Sequence, residues 1–165
     1  MASIHSLTLG LAVLLLPAAC AGQEKNVIPD HVKTILENAT KYEVYSLDPG
    51  PGEGVKDGFH RWKVLGKTTV MAETKRATLL EALSKGVADN KGEAAKCFIP
   101  RHGLRATHDG KTIDLVICFE CMHVYVYADP KDSEKKSDSF FTTGSPEEAF
   151  DKVLKDAGVP LAKKK

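Results

Sequence analysis

The stretch Arg101–Cys118, RHGLRATHDGKTIDLVIC, decides the fold. Asp109-Gly110 is the pair favoured by a two-residue hairpin turn, whose central residues both take positive φ, and strand-forming residues flank it on either side. Such a turn sets His108 against Lys111, Thr107 against Thr112, Arg105 against Asp114, Leu104 against Leu115 and Arg101 against Cys118. Opposite charges then face each other and apolar residues face apolar ones, which is the pairing that fixes a register. Alternation along the second strand sends Ile113, Leu115, Ile117 and Phe119 to a core face. Asp114, Val116, Cys118 and Glu120 go to the opposite face, together with Arg101 and Arg105.

Outward from the hairpin, the punctuation of the chain predicts helices that can cover the core face. Val32, Ile35, Leu36 and Ala39 fall on one helical stripe over residues 29–39, and Leu80, Leu83 and Val87, with Leu79 beside them, form another over 74–88. A third helix opens at Ser145-Pro146, where Ser145 and Glu148 have the spacing of a capping box, and ends at Gly158 before Val159-Pro160. Strands are expected over 42–47 and over 62–71, the latter broken or turned at Gly66. Between them, Asp48–Gly58 holds two prolines and four glycines and reads as a loop. Val124–Tyr127 has a strand pattern. The fold class is therefore α+β, an antiparallel sheet with about three helices packed on it in a single domain.

The N-terminus reads as a signal peptide over residues 1–21. Leu7–Leu16 is almost wholly apolar and is followed by Pro17 and the small residues Ala18 to Gly22, a run too short for a permanent span of about 20 residues. Two cleavage modes compete. Ala19-Cys20-Ala21 suits ordinary signal peptidase, whereas Ala18-Ala19-Cys20 resembles the end of a bacterial lipobox, in which Cys20 is acylated and becomes the first residue. The mature domain then spans 22–162, with a basic tail at 163–165, and the protein is expected outside the cytoplasm in the periplasm, cell envelope or extracellular space. With 23 basic and 22 acidic side chains in 165 residues, no net charge draws it to nucleic acid. Its only expected membrane contact is through a lipid at Cys20.

The face holding Arg101, Arg105, Asp114, Cys118 and Glu120 is the candidate functional surface, because an arginine near Cys118 would favour its thiolate. No serine–histidine–aspartate set, phosphate loop or paired-carboxylate motif accompanies it. CFIPRHGLRA at 97–106 followed by DLVICFEC at 114–121 resembles uncharacterised exported bacterial proteins, some of planctomycete type. That resemblance implies an envelope protein and brings no activity, substrate or catalytic residue.

The cysteines leave two chemical readings. On one strand Cys118 and Cys121 would lie about 10 Å apart between Cα atoms, beyond the ~7 Å reach of a disulfide, and only a tight turn at Phe119-Glu120 could bring them together. A bulge at Pro100 would instead set Cys97 opposite Cys121, so a Cys97–Cys121 disulfide is expected, with Cys118 as the free thiol. The alternative is zinc held by Cys97, His102, Cys118 and Cys121, a tetrahedral donor set in type although not in spacing. Function thus divides between a non-enzymatic binding or structural domain of the envelope and a thiol-redox or zinc protein.

Overall fold

A computed structural model describes residues 26–50, 55, 58–128 and 135–163; the leader with Cys20 and most of the basic tail lie outside them. In chain order these residues form α1 (Asp30–Asn38), β1 (Tyr42–Leu47), β2 (Val64–Val70), α2 (Glu73–Asp89), β3 (His102–His108), β4 (Lys111–Cys118), β5 (His123–Tyr127), β6 (Asp138–Phe141) and α3 (Glu147–Asp156). The six strands make one antiparallel sheet in the order β2-β1-β3-β4-β5-β6. The fold is α+β.

The central hairpin has the expected register. Asp109 and Gly110 take φ of 49° and 73°, the left-handed pair of a type I′ turn, and Arg105 faces Asp114 while Leu104 faces Leu115. Pairing stops at His102–Ile117, and Cys118 pairs with His123 of β5 instead of Arg101. The alternation holds as well: Ile113, Leu115, Ile117 and Phe119 enter the main core with Val32, Ile35 and Leu36 of α1, Leu79, Leu83 and Val87 of α2, and Phe150 and Leu154 of α3. All three helices therefore cover the same face of the sheet.

Two local expectations are corrected. Gly66 does not break β2, which runs on through it; the irregularity sits beside it, where Ser46 pairs with Gly66 and Leu47 with Val64, leaving Leu65 as the bulged residue. At α3 the cap position belongs to Pro146 and no side chain caps it, because the Ser145 hydroxyl lies 2.8 Å from Thr143 Oγ1 rather than on the helix amides. The other end of α3 is as expected, with Val159 N–H on Leu154 O, Gly158 N–H on Lys155 O and Gly158 at φ 69°, a Schellman closure. Strand β6 was not foreseen. It contributes only Phe140 to the core from within a charged run, so its composition gives no apolar alternation to read.

The sheet's second face is not open to water. Tyr45, Leu47, Phe59, Val116 and Tyr127 form a smaller apolar cluster there, with Trp62, Val64, Phe98 and Tyr125 packed against it. Two segments outside the sheet, around 59–62 and 97–99, supply its cover. No helix among the described residues is long and apolar enough to cross a membrane.

Candidate functional site

The cover of the second face is held by a turn of unusual composition. Phe59 and Trp62 form an isolated antiparallel bridge, Phe59 N–H donating to Trp62 O at 2.8 Å and Trp62 N–H to Phe59 O at 3.1 Å. His60 and Arg61 between them take φ of 50° and 73°. Asn-Gly would suit these positions; each ordinary L residue held there costs about 1–2 kcal/mol. Packing holds the turn down. The Phe59 ring stacks on Tyr45 with centroids 4.2 Å apart and lies over Gly103, where an added Cβ would sit 2.6 Å from Phe59 Cε1. His60 stacks on Tyr127 at 3.8 Å. Strain of this kind, retained by the surrounding structure, is a common mark of a functional position.

The turn places His60 on a buried ion pair. Arg105 donates through Nε to Asp114 Oδ1 and through Nη2 to Asp114 Oδ2, both at 2.7 Å, and His60 Nε2 lies 2.6 Å from Asp114 Oδ2. The side chains of His60 and Asp114 are 1% and 0% exposed. Hydrogen bonds to Asp114 push the Arg105 pKa above its ordinary value. A carboxylate gripped by a guanidinium in this fork can only accept, so the proton shared with His60 is carried by Nε2. His60 Nδ1 is then left facing away from Asp114. It is buried and finds no hydrogen-bond partner among the described residues.

His60 forms part of the wall of a cleft of about 300 Å³, together with Arg61, Trp62, Phe98, Tyr125, Tyr127 and Lys136. Four aromatic side chains give it flat apolar walls. Lys136 Nζ lies 3.7 Å from the Tyr125 ring centroid, and Arg61 adds a second cation to the lining. Burial pushes the Tyr127 hydroxyl above its usual pKa. Burial, and then the charge of Lys136, lower that of His123, whose ring packs against Phe98 and Tyr125 beside the cleft.

On the helix-covered face, His102 Nε2 lies 2.9 Å from Asp151 Oδ1. One potential ligand atom each of His102, Glu147 and Asp151 falls within 4.8 Å of the others, beside a hollow of about 140 Å³ that Arg101 also lines. Lys155 stands 3.6 Å from Asp151 Oδ2. A cation there would compete with Lys155, which already stands on Asp151.

The cysteines are arranged otherwise than expected. Cys118 and Cys121 form a disulfide with Cα atoms 5.1 Å apart, and Cys97 is the free, exposed thiol, so the Cys97–Cys121 pairing and the free Cys118 are both corrected. Strand β4 ends at Cys118, and Phe119–Met122 turns the chain back into β5, with Met122 N–H on Phe119 O and Met122 at φ 58°. That turn shortens the separation that a continuous strand would have imposed. Cys97 Sγ is nevertheless 3.6 Å from Cys121 Sγ. His102 points to the helices and is engaged by Asp151, while Cys118 lies on the alternate side of the sheet, so these four side chains do not converge as one tetrahedral set.

Of the candidate surface, the structure joins Arg105 to Asp114 and, separately, Arg101 to Glu120. Arg101 is 6% exposed. His60 and the aromatic walls were missed; the available signal was a buried acid within an apolar strand, which calls for partners from elsewhere in the chain. Comparison with family models, with curated proteins and with solved structures finds no match.

Proposed function

We propose that this is an exported, non-enzymatic binding domain of the cell envelope whose aromatic cleft takes a small flat anion, of the class of aromatic carboxylates. The observation that carries the reading is His60, buried and strained on an Asp114–Arg105 pair, with Nδ1 unsatisfied among the described residues and the ring forming part of the cleft wall. Asp114 holds the ring through Nε2 and leaves Nδ1 as the unsatisfied polar atom that a ligand entering the cleft would engage. Trp62, Phe98, Tyr125 and Tyr127 offer faces on which a planar ring stacks, and Lys136 and Arg61 add positive charge. Binding is favoured over catalysis because Nδ1 has no hydroxyl or thiol within hydrogen-bond reach among the described residues, and a histidine base needs such a nucleophile to activate.

Export rests on the apolar run Leu7–Leu16 and the small residues after it, and a disulfide is in keeping with an oxidising compartment. Acylation at Cys20 would hold the domain at a membrane surface.

Trp62 is the sole tryptophan of the chain, so its emission reports on the cleft. Titration with benzoate and naphthoate should give a saturable change in Trp62 emission, and H60F should weaken binding about tenfold or more, the worth of one charge-assisted hydrogen bond. Calorimetry on the same samples separates binding from optical absorption by the ligand. No saturable response, or equal affinity in H60F, would overturn the assignment.

A further inference from the structure

We propose that Cys97, Cys118 and Cys121 form a thiol–disulfide exchange site in which one disulfide alternates between two partners of Cys121. The site is separate from the His60 pair and does not depend on what the cleft binds. Its basis is the placement of three sulfurs at the tip of the β4–β5 hairpin. The 95–99 segment crosses that tip, tied down by Ala95 N–H donating to Cys121 O at 3.1 Å and by Ile99 N–H donating to Cys121 Sγ at 3.3 Å. These two bonds flank Cys97 and hold its Sγ 3.6 Å from Cys121 Sγ, close to the approach distance from which bound groups react.

The step balances without an outside oxidant. Cys97 loses its proton to solvent and its thiolate attacks Cys121 Sγ; the Cys97–Cys121 bond forms as the Cys118–Cys121 bond breaks. The electron pair leaves on Cys118 Sγ, which takes up a proton from solvent. One disulfide and one thiol are present before and after. Cys118 is equipped as the leaving group, because Cys121 N–H donates to its Sγ at 3.0 Å, and a hydrogen bond to a thiolate favours the charged form and so its departure.

The exchange changes what the domain shows to its surroundings. With Cys118 and Cys121 joined, the free thiol is the exposed Cys97; with Cys97 and Cys121 joined, it is Cys118, which is 1% exposed. The pairing therefore decides whether a thiol is presented to solvent-borne disulfides. Cys97 is the entry sulfur, since Cys121 is fully buried.

The test uses the full chain, folded, in a glutathione redox buffer at pH 8, followed by acid quench, alkylation and non-reducing peptide mapping. Wild type should yield both Cys118–Cys121 and Cys97–Cys121 peptides, with alkylation divided between Cys97 and Cys118. C118S should join Cys97 to Cys121, and C97S should retain Cys118–Cys121. Wild type that yields only the Cys118–Cys121 peptide overturns the proposal whatever the variants do. So does a folded C118S in which Cys97 and Cys121 both stay alkylatable.

Discussion

Removing the carboxylate under the Phe59–Trp62 turn, by Asp114→Ala, tests the arrangement on which the cleft is built. Asp114 is fully buried and accepts three hydrogen bonds, at 2.6, 2.7 and 2.7 Å. Without it, His60 is left with neither ring nitrogen bonded among the described residues, in a site where its side chain is 1% exposed, a loss of about 1–3 kcal/mol. Arg105 keeps access to water through the 31% of its side chain that is exposed, so its share is discounted to about 1 kcal/mol. Together these give a destabilisation of about 3 kcal/mol, at the lower edge of the range for breaking a buried pair and a large part of the total stability of an ordinary domain. Urea unfolding followed by far-ultraviolet circular dichroism and by Trp62 emission should show a lower midpoint at unchanged slope. In an H60F background the same substitution should cost clearly less, since one of the orphaned partners is already gone. A loss below about 1 kcal/mol in the wild-type background, or an equal loss in both backgrounds, would refute the reasoning.

Two further outcomes follow from the same packing. Gly103→Ala should cost about 1–3 kcal/mol and alter Trp62 emission, because its Cβ would lie 2.6 and 2.8 Å from two atoms of a Phe59 ring that is itself stacked on Tyr45; unchanged unfolding and emission would show that the ring gives way freely. Tyr42 is 1% exposed, donates to Leu36 O at 2.6 Å and has its pKa pushed up from 10.0 to about 12 by burial. The unfolded chain releases this proton first, so stability present below pH 10 is lost as pH rises towards 12, by about 3 kcal/mol in all. Unfolding measured across that range should be flatter for Tyr42→Phe, which costs about 1 kcal/mol at neutral pH; equal alkaline losses in the two proteins would remove Tyr42 as the cause.

What the sequence disclosed was local. Asp109-Gly110 sets its own turn, and with the turn set, each residue from 102 to 108 has a partner between 111 and 117 and a face. Gly158 and the residues after it close α3 for equally local reasons. The disulfide was misread because Phe119–Met122 contains none of the usual turn residues, and Met122 rather than glycine or asparagine takes the left-handed position. His60 was hidden for a different reason. Its partner Asp114 is 54 positions away, and its own turn has a composition that ordinarily argues against a turn. The His102–Asp151 contact spans 49 positions and is likewise set by how α3 docks, which no short pattern records.

The sheet also bears on how this protein meets other chains. A flat open sheet invites a stranger's strand at either margin, and that is a usual route to both peptide capture and aggregation. Here one margin is β6, only four residues long, and the other is β2, bent by the bulge at Leu65 and carrying Lys67. Neither offers a long run of straight, unpaired backbone. A visitor is thus turned away from the margins and left with side-chain surfaces, among them the aromatic cleft on the face that the 59–62 turn covers.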